Sequence, residues 1–547
     1  MKLSTATRLG LGLGLGLGLL ALVSGATYAQ TPAWTSAHSL TTAEGGRYGL
    51  GVAADGSQYT TGTFKNTLVL GTTTLTAGPG AGHVFLAKYS TTGTVLWARQ
   101  LDSPAALTSK LAVDAAGNIY LAGSFITTLT LGTITLAASG TAAEPYLMKL
   151  DAQGVAQWTQ QGGGPGRVNG IAIGPSGDVV LTGTFSAALN LGGSALAGGG
   201  AYYYRLSPAG AVLQAVPFGQ NITPEAVALD TAGNAYLTGE FIGNVTVGTI
   251  ALSPFSSSSG TSYPVNSDLF LCKIDGSGTV LWAVSNADNG NDAASGVIVD
   301  AGGNPVVCGM LENISQAQNG SYRTTLIPYL ARYTSQGISL WRKATPTTSG
   351  PGQISAVAHD GRGGYLATGS LIGAFDLGTV NIYSRGTGFV IRFDSQGNGT
   401  WGKVPGDTYP YASLAGTSIA ADGAGTVYVA GNITDVGVVK FDPLPAIGRG
   451  MFIAALQPDA VLATQSGSAA NTLAVYPNPA TRFVTLVLPA GSSHLTILDA
   501  LGRLMREQEL PTGSDYTLPL TGLPPGLYRL RAKLKSGQIA HSQLAVQ

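Results

Sequence analysis

A short phrase that returns seven times restricts this chain more than any other feature. Its clearest copy is Asp114-Ala-Ala-Gly117-Asn118-Ile-Tyr120-Leu-Ala-Gly123-Ser-Phe125. The second glycine of the phrase recurs as Gly62, Gly123, Gly183, Gly239, Gly309, Gly369 and Gly431, at spacings of 56 to 70 residues. A near-constant period of this order marks a repeat architecture. Each repeat is then one supersecondary unit that cannot bury its apolar face without neighbours.

Each repeat carries four strand signals. The first is short and apolar, as in Leu111-Ala-Val113, Ile171-Ala-Ile173, Val227-Ala-Leu229 and Val297-Ile-Val299. A turn follows, written Asp-x-x-Gly-Asn at 114–118, 230–234 and 300–304. The Asp carboxylate caps such a turn, and Gly takes the left-handed position. The second strand runs from Asn118 to Phe125 and its equivalents. The third opens on an aromatic residue: Phe85, Tyr146, Tyr202, Phe270, Tyr329, Phe389 and Phe452. The fourth carries a tryptophan, at Trp97, Trp158, Trp282, Trp341 and Trp401, with Gln214 in the third repeat. These indoles are expected to wedge between neighbouring units, where a large ring removes much apolar area from water. Between the second and third strands, Thr128-Leu-Thr-Leu-Gly132-Thr-Ile-Thr-Leu136 alternates on both sides of a glycine. It reads as an extra hairpin on one rim, repeated around Gly71 and Gly378. Four antiparallel strands repeated radially are the plan of a β-propeller.

Charged residues make up 10% of the chain and hydrophobic ones 44%, with a formal net charge of +0. The zero charge removes the electrostatic footprint of a nucleic-acid binder. Residues 1–29 read as a secretory signal peptide: Lys2 and Arg8, an apolar run from Leu9 to Val23, and small residues at Thr27 and Ala29 before Gln30. No later stretch is long and apolar enough to be a transmembrane segment. The only cysteines, Cys272 and Cys308, lie in strand-like runs of successive repeats. Buried free thiols, a disulfide and a reactive or metal-bound thiol all stay open from sequence.

Trp34 precedes the first complete repeat, and the seventh repeat has no tryptophan of its own. The simplest expectation is that Ala33–His38 supplies the missing fourth strand of the seventh unit, with Trp34 as its structural indole. Such closure removes the exposed sheet edges of an open array. The alternative places Ala460–Ala463 in that slot and leaves Trp34 outside. On the phrases at 114–125 and 149–158, residues 30–460 resemble the seven-bladed β-propeller repeat family of secreted and surface bacterial proteins. The resemblance implies a fold and an extracellular site, not a reaction.

The stretch Gln457–Thr472 is rich in Ala, Ser and Gln, with Pro458 and Gly467, and residues 461–472 read as a linker. The period then stops, and about seven short strands follow in 473–547, which suits a small Ig-like β-sandwich. This segment resembles the type A sorting domain of the type IX secretion system. The likeness rests on Tyr476-Pro477-Asn478-Pro479, Asp499-Ala-Leu-Gly502, Pro524-Pro525-Gly526-Leu527-Tyr528 and the terminal Leu544-Ala-Val-Gln547. It implies recognition of residues 473–547 by that secretion machinery. It also implies delivery to the surface of a Gram-negative bacterium or release from it. Arg529, Arg531, Lys533 and Lys535 alternate with apolar residues, so period two sets all four cations on one strand face. That face is either simply solvated or a docking surface for the machinery.

A propeller that catalyses does so at its axial channel or on the loop face around it. Two residues before the first strand's apolar run, the seven repeats read Tyr48, Ser109, Asn169, Glu225, Ser295, Ser355 and Thr417. That ring holds one carboxylate, where glycoside hydrolysis needs two. Glu240 and Glu312, just past the second strands of repeats four and five, are the candidates to complete a sector. Tyr48, Asn169, Glu225, Glu240 and Glu312 are therefore the candidate binding residues of the rim. His359 replaces an apolar first-strand residue and is expected to be a core histidine. No hydrolase or metalloprotease motif occurs. Asp288-Asn-Gly-Asn-Asp292 is oxygen-rich but lacks EF-hand spacing. No catalytic constellation, cofactor or metal is expected. The basic residue shared by the third strands (Lys88, Lys149, Arg205, Lys273, Arg332, Arg392) recurs too regularly for a site and suits a structural ion pair. The reading is a binding scaffold for an extracellular glycan or protein. A carbohydrate-active hydrolase or lyase and a structural surface-layer component are its alternatives.

Overall fold

The computed structural model describes residues 32–457 and 473–546, apart from 41–48, 79–81, 104, 255–266, 287–289, 317–321, 345–349, 378–379, 410–412, 435–437, 477–479, 489–491, 500–502, 512–514 and 535–538. Every regular element among them is a strand. The chain divides into two compact units, Met1–Asp459 and Ala460–Gln547.

In the first unit each repeat folds into an antiparallel sheet whose strands pair in chain order. The fourth repeat is typical: Ile222–Leu229, Ala235–Ile242, Ser267–Ile274 and Val280–Asn286. The first strands of successive sheets touch in turn, and that of the seventh sheet, Leu414–Ala421, touches that of the first, Gly49–Val52. The sheets thus follow one another in a closed, propeller-like cycle. The seventh sheet takes its outer strand from the other end of the chain: Trp34–Leu40 runs antiparallel to Gly450–Leu456, with Ser39 opposite Phe452.

The register corrects one expectation. In the other sheets the fourth-strand tryptophan faces the basic residue of the third strand, as Trp97 faces Lys88 and Trp282 faces Lys273. The corresponding pair in the seventh sheet is Ala455 and Ser36, whereas Trp34 faces Leu456. Trp34 therefore does not take the wedge position. It lies buried in the interior, edge-on to Phe441 at 4.8 Å between ring centroids, and shares a core with Trp401 and Phe452.

The seams explain the tryptophan pattern. Trp97, Trp158, Trp282 and Trp341 each donate the indole N–H to a backbone carbonyl in the next repeat, at Ala152, Pro208, Ser335 and Ser395, over 3.0–3.2 Å. Each ring lies over the glycine two residues further on. A Cβ on Gly154, Gly210, Gly337 or Gly397 would come within 2.8–2.9 Å of its indole. Between the third and fourth repeats Gln214 keeps the hydrogen bond by donating to the Gly276 carbonyl, but its Oε1 is buried without a partner. At the closing seam His38 stands over Gly93 instead. Replacing Gln214 by Trp should therefore stabilise the protein by about 1 kcal/mol, through added ring contact and removal of the stranded acceptor. Thermal unfolding of the variant checks this, and a lowered midpoint would contradict it.

The defining glycines have a different cause. In five sheets the first strand bulges beside the glycine, at Asn169, Glu225, Ser295, Ser355 and Thr417. The bulge drives a carbonyl of the first strand into the space a side chain would need. A Cβ on Gly183, Gly239, Gly309, Gly369 or Gly431 would lie 1.8–2.1 Å from that oxygen.

The extra hairpins are not ornaments. In Thr67–Leu70 and Thr73–Thr76 the leucines Leu68, Leu70 and Leu75 are buried in the first repeat's core, while Val69 and Thr74 face solvent. The second hairpin, Thr128–Leu131 with Ile134–Ala137, likewise buries Leu129, Leu131 and Leu136. Alternation thus turns the leucines inward against the blade edges.

The second unit holds two sheets around a single core. One has three strands, Ala474–Tyr476, Phe483–Val487 and Asp515–Pro519. The other has four, in the order Leu504–Glu509, Ser492–Asp499, Gly526–Leu534 and Ile539–Val546. In Gly526–Leu534, Tyr528, Leu530, Ala532 and Leu534 point into the core, and Arg529, Arg531 and Lys533 are exposed. Lys535 lies outside the described residues.

Candidate functional site

The strongest recurring chemistry is a network at the turn between the first and second strands. In the fourth repeat Asp230 Oδ1 accepts the backbone N–H groups of Ala232 and Asn234, at 3.0 and 2.8 Å. Its Oδ2 accepts the Asn234 amide and the Tyr236 hydroxyl, and lies 3.3 Å from Lys273 Nζ. The shared basic residue thus binds the turn aspartate of its own sheet, and Arg332–Asp300 (2.5 Å) and Arg392–Asp360 (2.6 Å) repeat the arrangement. The third repeat lacks an aspartate at the start of its turn, Gly174-Pro-Ser-Gly-Asp178. Asp178 at the end supplies the carboxylate instead, 2.8 Å from Arg205. Burial opposes ionisation of Asp230 and Asp300, yet the Asn N–H groups and the cations outweigh it and hold both below the ordinary carboxylate range.

The same turns form the mouth of a concavity. A cavity of about 520 Å³ is lined by the turns of repeats two to five and by Val113, Ile173, Leu229 and Val299, the last residues of their first strands. These four side chains are half-buried, so the wall is apolar and wet. A second cavity, of about 490 Å³, adjoins it through Val299, Asp300 and Ala301 and extends between repeats five and six.

The candidate carboxylates lie elsewhere. Glu225 is the bulge residue near the start of its first strand, and Glu240 lies in the adjoining second strand opposite Thr223. Glu312 lies inside the long strand Pro305–Gln316, and its carboxylate accepts the Asn291 N–H at 2.6 Å. All three are at the end of the sheet away from the turns, and none lines either cavity. Asn169 bridges two inner strands by donating from Nδ2 to the Pro224 carbonyl at 2.9 Å. Tyr48 lies outside the described residues.

His359 departs from the expectation of a core residue. Solvent reaches its ring, which lines the second cavity at the register occupied by Val299 in the fifth repeat. The first strand ends at an open cavity, so the apolar residues that His359 replaces do not mark a sealed interior. The protein around the ring disfavours the imidazolium and lowers its pKa. Cys272 and Cys308 are buried free thiols, and burial pushes the Cys272 thiol up to about 12 and Cys308 higher still. Such thiols are poor nucleophiles. Among the described residues no group of acidic, His or Cys side chains has metal-binding geometry, and the 288–292 segment is described only in part.

In the second unit Tyr476 is exposed, whereas Tyr528 is buried and donates its hydroxyl to the Pro524 carbonyl at 2.6 Å. Gly526 begins the strand that carries Tyr528. Pro477, Asn478, Pro479 and Gly502 lie outside the described residues.

No curated protein matches the chain. Among solved structures, the WD40 domain of Pan2 from Neurospora crassa is 8% identical, covers 79% of this chain and 97% of its own, and has a TM-score of 0.42. Virginiamycin B lyase from Staphylococcus aureus is 12% identical, with coverages of 77% and 98% and a TM-score of 0.37. PorZ, a surface component of the type IX secretion system of Porphyromonas gingivalis, is 11% identical, with coverages of 93% and 100% and a TM-score of 0.15. At such identities no chemistry transfers. Residues 474–546 match the family of secretion system C-terminal sorting domains. The C-terminal unit is therefore a type IX sorting domain, and the protein is secreted from, or attached to the surface of, a Gram-negative bacterium.

Proposed function

We propose that the protein is an exported, non-catalytic binding scaffold. In this reading residues 1–29 are a signal peptide and 30–460 form a seven-bladed β-propeller of the secreted bacterial repeat type. Residues 461–472 are a linker, and 473–547 are an Ig-like sorting sandwich that engages the type IX machinery. The ligand is an extracellular glycan or protein segment, held on the face built by the first turns. The observation that carries the reading is the apolar-walled cavity of about 520 Å³ ringed by those turns, whose carboxylates are tied into hydrogen bonds and ion pairs. Few convergent polar groups on an apolar concave wall suit recognition. Carboxylates held ionised by cations suit neither the proton donor nor the free nucleophile of a glycosidase.

A glycan array probed with the mature chain, together with a reducing-sugar assay on the glycans retained, tests this. Saturable binding without release of reducing ends is expected. Release of reducing ends that Glu225→Gln or Glu240→Gln abolishes would establish a carbohydrate-active enzyme instead. Absence of any glycan or protein ligand would leave a structural surface component.

A further inference from the structure

The turn carboxylates that line the larger cavity are not equivalent. Asp114, Asp230 and Asp300 all stand on its wall. Asp230 and Asp300 are each paired with the basic residue of their own third strand, Lys273 at 3.3 Å and Arg332 at 2.5 Å. Lys149 holds the same place in the second repeat. It donates instead to the Pro208 carbonyl of the third repeat at 3.3 Å, and among the described residues Asp114 has no ion pair.

A hydroxyl is missing from the network as well. In the fourth repeat Tyr236 donates to Asp230 Oδ2 at 3.2 Å. Its counterpart Tyr120 is fully buried, yet its hydroxyl meets no hydrogen-bond partner. Asp230 thus holds two donors on Oδ1 and three on Oδ2. Asp114 holds the backbone N–H groups of Ala116 and Asn118 on Oδ1 and only the Asn118 amide on Oδ2. An ionised carboxylate offers about four lone pairs, so one on Asp114 Oδ2 is open to a further donor. Asp114 is also half-buried, where Asp230 is buried.

The rest of the cavity decides what carries that donor. Val113, Ile173, Leu229 and Val299 give an aliphatic wall, and the lining contributes no lysine, no arginine and no aromatic ring. An anion would meet the uncompensated charge of Asp114. A quaternary ammonium would find no aromatic cage. A primary ammonium or a guanidinium supplies both the missing positive charge and N–H groups for the open lone pair. An apolar stem behind that head would cover the aliphatic wall, where its removal from water is favourable.

We propose that this cavity binds an amphipathic cation, with Asp114 receiving an ammonium or guanidinium head and the wall from Ile173 to Val299 carrying the apolar stem. This rests on the turn face being the ligand-binding face. The apolar wall strengthens the pair over one on an open surface, while the half-exposed carboxylate keeps a small ligand weak. The shared chemistry admits two sources, a free amine or a lysine or arginine side chain presented by a partner protein.

The test is ligand-observed nuclear magnetic resonance on the mature full chain, with benzylamine, its neutral isostere benzyl alcohol, benzoate and an end-blocked Ala-Ala-Lys-Ala-Ala peptide. A cation should bind saturably and about tenfold or more tighter than benzyl alcohol, and benzoate should not bind. Benzylamine alone would identify a free amine and the peptide alone a partner's side chain; where both bind, the tighter marks the source. Asp114→Asn keeps the oxygen that caps the turn and removes the charge. It should weaken the cation about tenfold or more and abolish its advantage over benzyl alcohol. Equal binding of the cation and benzyl alcohol by the unaltered chain would overturn the site without any variant, as would unchanged affinity in Asp114→Asn. A glycan or protein ligand held by a chain that binds neither cation would overturn the site and leave the binding-scaffold reading intact. A cation bound through Asp114 with no glycan or protein ligand would do the reverse.

Discussion

Deleting residues 30–40 should abolish cooperative unfolding of the first unit. Among the described residues, the strand Trp34–Leu40 is the only partner of the outer edge of Gly450–Leu456. It also bridges two cores: Trp34 packs with Phe441 and Trp401, and Leu40 packs with Phe64, Met451 and Ile453. Loss of a buried tryptophan alone costs about 3–5 kcal/mol. The deletion adds the ladder of hydrogen bonds and leaves an apolar strand edge in water, which templates aggregation. Net stabilities are about 5–15 kcal/mol, so the combined loss consumes most or all of it. Calorimetry of the truncated mature chain should show a broad, low-enthalpy transition or aggregation. A sharp transition at the unaltered midpoint would show that the ring does not depend on this strand.

Gly239→Ala is the second large effect. The new methyl would stand 2.0 Å from the Thr223 carbonyl oxygen and 2.8 Å from Pro224 Cα. Neither is the end of a flexible side chain, so the first strand would have to move by more than an ångström. Overpacking of well-packed regions costs about 1–3 kcal/mol, and a backbone clash of this depth belongs at or beyond the upper end. Gly423→Ala is the control, since a Cβ there meets nothing and the backbone is not left-handed. It should be neutral or slightly stabilising, because alanine restricts the unfolded chain. Chemical denaturation of the two variants should separate them by at least about 2 kcal/mol. Equal stabilities would mean that the bulge yields, and that the recurrent glycine has another cause.

The recurrence of Gly239 and its equivalents was plain in the sequence, because strand and turn signals are local and repeat with the period. Its cause was not, because the carbonyl that excludes a side chain comes from a bulge on the neighbouring strand. The basic residues of the third strands were likewise visible as a pattern. Their partners, the turn aspartates, lie some 30 positions away along the chain and meet them only when the sheet forms, as Arg332 meets Asp300.

Three expectations failed for identifiable reasons. By sequence Trp34 aligns with the other tryptophans because it precedes the first complete repeat and the seventh repeat has none of its own. No turn joins the third and fourth strands of the seventh sheet, however, so nothing local sets their register; Ser36 takes the register position of the tryptophans, and His38 covers the facing glycine. His359 reads as a core residue because it replaces an apolar one in its first strand, yet its ring lines an open cavity. Position in the repeat groups the carboxylates Glu225, Glu240 and Glu312 at one rim, whereas the cavities open at the opposite ends of the sheets.

What local composition dictates in this protein is the kind of element, the number of repeats and the sorting signal at the C-terminus. Hydrogen bonding within a turn and alternation along a strand act over a few residues and are written directly in the chain. Which end of the ring is concave, which strand seals it, and which turn carboxylate goes without a cation depend on contacts between residues tens to hundreds of positions apart. Those contacts exist only once each sheet has packed on its neighbours, because no single sheet buries enough apolar surface to hold them in place.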